Sequence, residues 1–384
     1  MPVMRLIYAF PEPLPLERAR GLQAVNTVAA LARSGARVRL AFAPVSGPGG
    51  PVDPFAHYGI ARPPGVELIP IARSLPWPLS GVHSNRLFFS NLRRRLGDLL
   101  SQEPLLVRHL KLAARIAGAL PQARFAYEAH EVFGDTAAPA KQAANRALEG
   151  SVMRAAGVIV ANSAATARRL RELYGAPESI AVVPNGVDRP ESLPAKKWVE
   201  AGQRIVYAGS FFPWKGVSEL VSAAGQLAGC RITLLGGDGQ RIAELKSQCA
   251  SGGAVVEFAG RLPHAQVMSH LGESCIAVLP NRDDTDSAFT SPIKLFEYMA
   301  AGCAIVASDL PALREILRDD EAVWVRPGDA DSLAAGIRGL VSDPQLAQVL
   351  GQRVRARSVD YTWSVRGTRL AALFNARWPA QGRT

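Results

Sequence analysis

Five short apolar runs in the second half of the chain share one pattern: Arg204-Ile-Val-Tyr-Ala-Gly-Ser210, Arg231-Ile-Thr-Leu-Leu-Gly-Gly237, Ala254-Val-Val-Glu-Phe-Ala-Gly260, Cys275-Ile-Ala-Val-Leu-Pro280 and Cys303-Ala-Ile-Val-Ala-Ser308. A strand that is apolar on both faces must be covered on both faces. The runs therefore predict a parallel sheet between helices, with the intervening stretches as those helices. Three runs end in glycine, which lets a ligand approach bare backbone at the carboxyl edge where open parallel sheets bind. The first half repeats the theme. Met4 to Phe10 and Val38 to Ala43 read as strands around a helical Leu22 to Ala32, and further strands are expected at Val66 to Ile71, Leu105 to Arg108, Phe125 to Tyr127, Val158 to Ala161 and Ile180 to Val183. The pattern pauses at Pro184-Asn-Gly-Val-Asp188 and the Pro-rich stretch to Lys197, which marks a linker. A chain of 384 residues also exceeds what one hydrophobic core usually supports. The expectation is an α/β chain of two domains, 1–190 and 198–360, closed by an amphipathic helix over 361–384.

The segment between the last two runs carries the most chemistry. Ser291-Pro-Ile-Lys-Leu-Phe-Glu-Tyr-Met-Ala-Ala-Gly302 sets a good N-cap, a proline suited to the first helical position and a closing glycine around a short helix. The start of such a helix suits a phosphate; Lys294 and Glu297, one turn apart on one face, add a cation and a carboxylate able to bind a sugar diol. Read alone, the segment is also an ordinary amphipathic helix with a surface Lys–Glu pair. Its context adds three strand-to-helix turns: Gly209-Ser-Phe-Phe-Pro-Trp-Lys215-Gly216, Gly236-Gly-Asp-Gly239 and Gly260-Arg261. None is specific alone, but all fall at carboxyl ends of predicted strands in one domain.

Together with Pro184–Asp188 and the closing Tyr361/Trp363 helix, these residues resemble glycosyltransferase family four, retaining enzymes of the GT-B architecture, over nearly the whole chain. The resemblance implies two Rossmann-like domains facing across a cleft, with the C-terminal helix crossing back to the first. It implies a nucleotide-diphosphate sugar as donor substrate and no further cofactor. Lys215 would meet the diphosphate, with Gly209, Ser210, Gly236 and Gly237 close to the donor. The backbone of Ser291, Pro292 and Ile293 would lie near the phosphates, Lys294 would add charge, Glu297 would hold the ribose and Arg261 would lie beside the base. Tyr127-Glu-Ala-His130-Glu131 resembles the family's histidine segment, which gives His130 a role at the donor sugar or acceptor. Three departures stand out. The first of the family's two glutamates falls at Phe289, with Asp283, Asp284 and Asp286 nearby as replacement carboxylates or as a solvated acidic loop. Ser210 stands where the family has an arginine, and Pro11 to Gly21 replaces the usual glycine-rich loop.

The implied activity is transfer of a sugar to a hydroxyl acceptor with retention, in glycolipid or surface-polysaccharide synthesis, on a saccharide or lipid-linked acceptor. A nucleotide-sugar epimerase and a degenerate donor-binding subunit are the alternatives. No metal site is expected, because Lys215 supplies the charge a metal would bring to the diphosphate and, besides the Asp284/Asp286 pair, which is discounted, no His/Asp/Glu cluster has convincing metal spacing. The formal charge of +11 suits nucleic acid, anionic lipid or a phosphorylated substrate. Nucleic acid is set aside, since no zinc-finger spacing, RNP-like strand or arginine helix with stacking aromatics occurs. Arg86-Leu-Phe-Phe-Ser-Asn-Leu-Arg-Arg-Arg-Leu96 reads either as a helix lying on an anionic bilayer or as a core helix with a solvated arginine face. With no apolar run near the ~18 residues of a span, and Val3 to Phe10 running at once into Pro11, the expected location is the cytoplasm, including the inner face of its membrane. The four cysteines form no CxxC pair and read as reduced thiols.

Overall fold

The computed structural model of the chain describes residues 3–16, 19–47, 50–74, 84–175, 180–189, 196–201, 203–289 and 291–379. Part of the expected linker, 190–195, lies outside them, as do 17 and 18 of the Pro11–Gly21 loop. The chain divides into two compact units, Met1–Asn185 with Trp363–Thr384, and Gly186–Thr362.

The first unit is built on seven parallel strands: β1 (Arg5–Leu14), β2 (Arg37–Pro44), β3 (Val66–Pro70), β4 (Leu105–Val107), β5 (Phe125–Ala129), β6 (Val158–Ala161) and β7 (Ile180–Val182). Their order is β3-β2-β1-β4-β5-β6-β7, so the connections diverge between β1 and β4. Leu6, Tyr8 and Phe10 pack against Ala24, Val25 and Val28 of the helix Ala19–Arg33 on one face. The helix Trp363–Arg377 joins the same core through Leu370, Phe374 and Trp378. It lies so close to Ala30 that a side chain at Gly367 would sit 2.5 Å from the Ala30 carbonyl. The crossing follows Thr362: Tyr361 stays with the second unit, its ring stacked on Phe296 at 4.9 Å.

The second unit holds six parallel strands: β8 (Arg204–Ala208), β9 (Arg231–Leu235), β10 (Val255–Gly260), β11 (Ile276–Leu279), β12 (Ala304–Ser308) and β13 (Ala322–Val325), in the order β10-β9-β8-β11-β12-β13. The first five are the apolar runs read from the sequence. The sixth was not anticipated: it is four residues long and lies between charged segments. Both faces of β8, β11 and β12 are buried, one core forming around Ile205, Leu220 and Ile276, the other around Val206, Leu279 and Phe296. Cys230, Cys275 and Cys303 are buried free thiols just before β9, β11 and β12; Cys249 is an exposed one.

Two local expectations are corrected. The helix after Ser291 runs Ile293–Ala300, with Pro292 rather than Ser291 at the N-cap position. The helix Asn85–Leu96 buries Phe88, Phe89, Leu92 and Leu96 within the first unit and exposes Arg93, Arg94 and Arg95. Its apolar stripe is therefore core, not a membrane-inserting face, because a stripe already packed in protein has no surface left to bury in lipid.

Candidate functional site

In the second unit the connections diverge between β8 and β11, and their carboxyl ends open the crevice where doubly wound sheets bind ligands. Two glycines draw the loops together there. Gly216, at φ +69°, packs so tightly that a methyl group would lie 1.7 Å from the Pro280 carbonyl oxygen at the end of β11. At Gly236, φ +121°, it would lie 2.0 Å from the Gly209 oxygen at the end of β8. Both positions demand the left-handed backbone and the missing Cβ that only glycine combines. The Arg282 N–H donates to the Trp214 carbonyl at 2.9 Å, tying the loop after β11 to the turn Pro213–Lys215.

Into this edge the helix Ile293–Ala300 projects Lys294. Its side chain is buried, its Nζ lies 4.1 Å from the centroid of Tyr207, and among the described residues the ammonium has no hydrogen-bond partner. Burial, reinforced by the charge of Lys215, drives its pKa well below the usual lysine value, against the pull of Glu297. Lys215 sits with Nζ 3.6 Å over the ring of Trp214. Tyr207 is itself fixed, its hydroxyl donating to the Ser210 carbonyl at 2.7 Å. One turn on from Lys294, Glu297 is buried with Oε1 2.8 Å from Nε2 of His264, the residue that opens the helix His264–Glu273 beyond β10. That hydrogen bond raises the His264 pKa, burial opposes the rise, and the charges of Glu297 and Asp188 add to it.

The first unit has its own polar centre at the end of β5. Glu128 is fully buried and accepts from Gln23 Nε2 at 2.9 Å, from the Tyr8 hydroxyl at 3.4 Å and from Arg366. Arg366 reaches it from the C-terminal helix, and also donates to the carbonyls of Val183 and Pro184 and to Thr27. His130 places Nε2 3.0 Å from Glu128 Oε1, within ion-pair distance but off the direction of a hydrogen bond. Burial and the charge of Arg108 lower the His130 pKa to about 4, with Glu128 pulling the other way. Burial alone would raise the Glu128 pKa, yet His130, Arg366 and Arg108 together hold it far below the carboxylate range. Since His130 is neutral above about pH 4, the two arginines carry that effect at neutral pH.

Residues 22–190 match the model of Glycosyltransferase Family 4, and residues 202–343 that of Glycosyl transferases group 1. The chain belongs to glycosyltransferase family four. It is 31% identical over 193 residues to the phosphatidyl-myo-inositol mannosyltransferase of Mycolicibacterium smegmatis, a match covering 48% of this chain and 48% of that protein. The chain thus spans about half the length of that curated relative. In fold it is similar to sucrose-phosphate synthase from Thermosynechococcus elongatus, with a TM-score of 0.78 at 18% identity over 98% of this chain and 100% of the other. Anabaena HepE in complex with UDP and glucose gives 0.72 at 16% identity over 97% and 100%.

Within this family-four chain the structure gathers Gly209, Ser210, Lys215, Gly236, Gly237, Lys294 and Glu297 about the carboxyl ends of β8, β9 and β11. Arg261 is exposed at the end of β10, and Ser291, Pro292 and Ile293 lead into the helix that carries Lys294. Phe289, where the family has its first glutamate, is half-buried; Asp283 and Asp284 are exposed, and the side chain of Asp286 lies outside the described residues. Among the described residues no three His, Cys, Asp or Glu side chains form a group able to hold a metal, and no helix is long and apolar enough to cross a membrane. Sequence reasoning missed His264, Glu128 and Arg366. His264 lies only three residues past the strand-end Arg261, and Glu128 lies two residues before His130 in the strand that leads to it, so both had a local signal. Arg366 is 238 residues from Glu128 and had none.

Proposed function

We propose that the protein transfers a sugar from a nucleotide-diphosphate sugar to a hydroxyl acceptor with retention of anomeric configuration, and that the second unit holds the donor. The observation that carries this reading is the Lys294 ammonium, buried and without a hydrogen-bond partner among the described residues, at the switch point of the sheet. A buried cation left in that state is destabilising unless a ligand completes it, and an anionic diphosphate does so. Lys215 and Lys294 then face the oxygens on which negative charge grows as the bond from the anomeric carbon to the diphosphate breaks, so they favour the transition state over the ground state. The acceptor oxygen bonds the same carbon, and its proton passes to the departing diphosphate oxygen. In this reading Glu297 accepts from the ribose, the leaving group is held by side-chain cations without a metal ion, and His130 serves the donor sugar or acceptor as a neutral imidazole.

A lipid-linked or saccharide acceptor fits two features. The similar mannosyltransferase is named for phosphatidyl-myo-inositol, and the exposed Arg93, Arg94 and Arg95 give the first unit a basic face for an anionic membrane surface. We place its work at the cytoplasmic side of such a membrane. A thermal-shift panel of UDP-, GDP- and ADP-sugars with EDTA present tests the core of the proposal. A ligand at 100 times its dissociation constant adds about 2.7 kcal/mol, and the stabilising donor should then show a retained anomeric configuration in its transfer product by NMR. A panel in which no nucleotide sugar stabilises the protein, or in which stabilisation needs added magnesium or manganese, refutes the reading.

A further inference from the structure

The contact between His264 and Glu297 joins two parts of the second unit that are 33 residues apart. A carboxylate on a helix keeps rotational freedom unless a neighbour holds it, and freezing that freedom on ligand binding weakens affinity. Glu297 is held already. The His264 imidazole takes Oε1 at 2.8 Å and leaves Oε2 without a hydrogen bond among the described residues. The charge of Asp188, at the end of the Pro184–Asp188 segment, also attracts the same imidazole. Its own side chain is 41% exposed, more than a residue retained only for packing requires, while that of Glu297 is 10% exposed.

We propose that His264 is a positioning residue for the donor nucleotide: it fixes the Glu297 carboxylate so that Oε2 meets a ribose hydroxyl. This role rests on the donor reading above. It also has a pH signature, because a bond from imidazolium to carboxylate is stronger than one from neutral imidazole. The two acids that act on His264, Glu297 from the helix Ile293–Ala300 and Asp188 from the segment after β7, raise its pKa, so the charged form persists to higher pH than in an ordinary histidine. The positioning effect is then full at low pH and declines as pH rises through that raised value.

Calorimetric titration of the full chain at pH 6.5, with UDP, GDP and their 2′-deoxy forms as probes, separates this role from a merely structural ion pair. Wild type should prefer the ribonucleotide by about ten- to a hundredfold, the effect of one hydrogen bond to a charged group. His264→Ala should lose most of that preference while binding the deoxynucleotide as wild type does, and His264→Gln, which keeps a donor, should retain most of it. With UDP-glucose or GDP-mannose, whose diphosphate does not titrate in this range, the wild-type advantage over His264→Gln should shrink from pH 6.5 to 8.5. An undiminished ribose preference in His264→Ala, or no preference in wild type, overturns the positioning role and leaves the donor site standing. Failure of wild type to bind any of these nucleotides or sugars overturns both.

Discussion

Replacing Lys294 by methionine should make the free protein more stable and at the same time blind to donor. The side chain keeps its length and apolar stem, so packing against Tyr207 is largely preserved, and what disappears is a buried ammonium with no hydrogen-bond partner among the described residues. Relieving a buried unsatisfied polar group returns about 1–3 kcal/mol. Against this stands the loss of the cation over the Tyr207 ring, 4.1 Å from its centroid, which is worth about 0.5–1 kcal/mol. The first effect wins, by roughly 1–2 kcal/mol, and for a unit of this size each kcal/mol moves the midpoint by about 2–4 °C. Scanning calorimetry should therefore show the transition of unit Gly186–Thr362 rising by about 2–8 °C in Lys294→Met. The gain has a definite pH sense. Lys294 has a lowered pKa in the fold, so wild type carries the full penalty below that value and recovers stability as pH rises toward the unfolded value of 10.5. The advantage of methionine should shrink accordingly between neutral pH and pH 10. Adding donor at 100 times its wild-type dissociation constant should raise wild-type stability by about 2.7 kcal/mol and leave the variant unmoved. A variant that melts below wild type without ligand, or that keeps the donor-induced shift, would refute the argument that Lys294 waits for an anion.

Other outcomes follow from the same geometry. Gly216→Ala places a methyl group 1.7 Å from the Pro280 oxygen at φ +69°; the left-handed backbone alone costs about 1–2 kcal/mol, so a wild-type urea midpoint for this variant would contradict the close approach of the two loops. His130 should titrate near 4 in proton NMR of the histidine ring, and because that pKa lies below the unfolded value, it should subtract stability progressively as pH falls from 6.5 through about 4. A midpoint at or above 6.5, identified by its loss in His130→Gln, would show the cluster to be misassigned. With Phe88, Phe89, Leu92 and Leu96 buried, attachment to phosphatidylserine vesicles through Arg93, Arg94 and Arg95 should be electrostatic, about 1 kcal/mol per residue. It should vanish in high salt and in the variant with all three changed to glutamate; co-sedimentation that survives high salt would mean apolar insertion instead.

Much of the architecture was legible because its signals are local. The runs at Arg204, Arg231, Cys275 and Cys303 are apolar on both faces, and a chain has few ways to bury such strands other than a parallel sheet under helices. Gly209, Gly216 and Gly236 at strand ends, and Lys294 and Glu297 at helical spacing, marked the candidate site at the carboxyl edge of the sheet for the same reason: periodicity and turn chemistry are properties of neighbours in the chain. The short strand Ala322–Val325 escaped notice, having four residues and no strong pattern. The helix Asn85–Leu96 shows where local signals end. Its stripe and its arginines were plain in the sequence, but an amphipathic pattern states only that one face seeks an apolar partner, and the fold decided that the partner is protein. The partners of the charged groups were likewise decided by tertiary structure alone. Strand order brings His264 to Glu297, and the return of the last helix brings Arg366 to Glu128 beneath His130. Burial and neighbouring charges then set the electrostatics: removal from water lowers the pKa of Lys294 and His130 below ordinary values, while at Glu128 the neighbouring positive charges outweigh a burial that alone would favour the neutral acid.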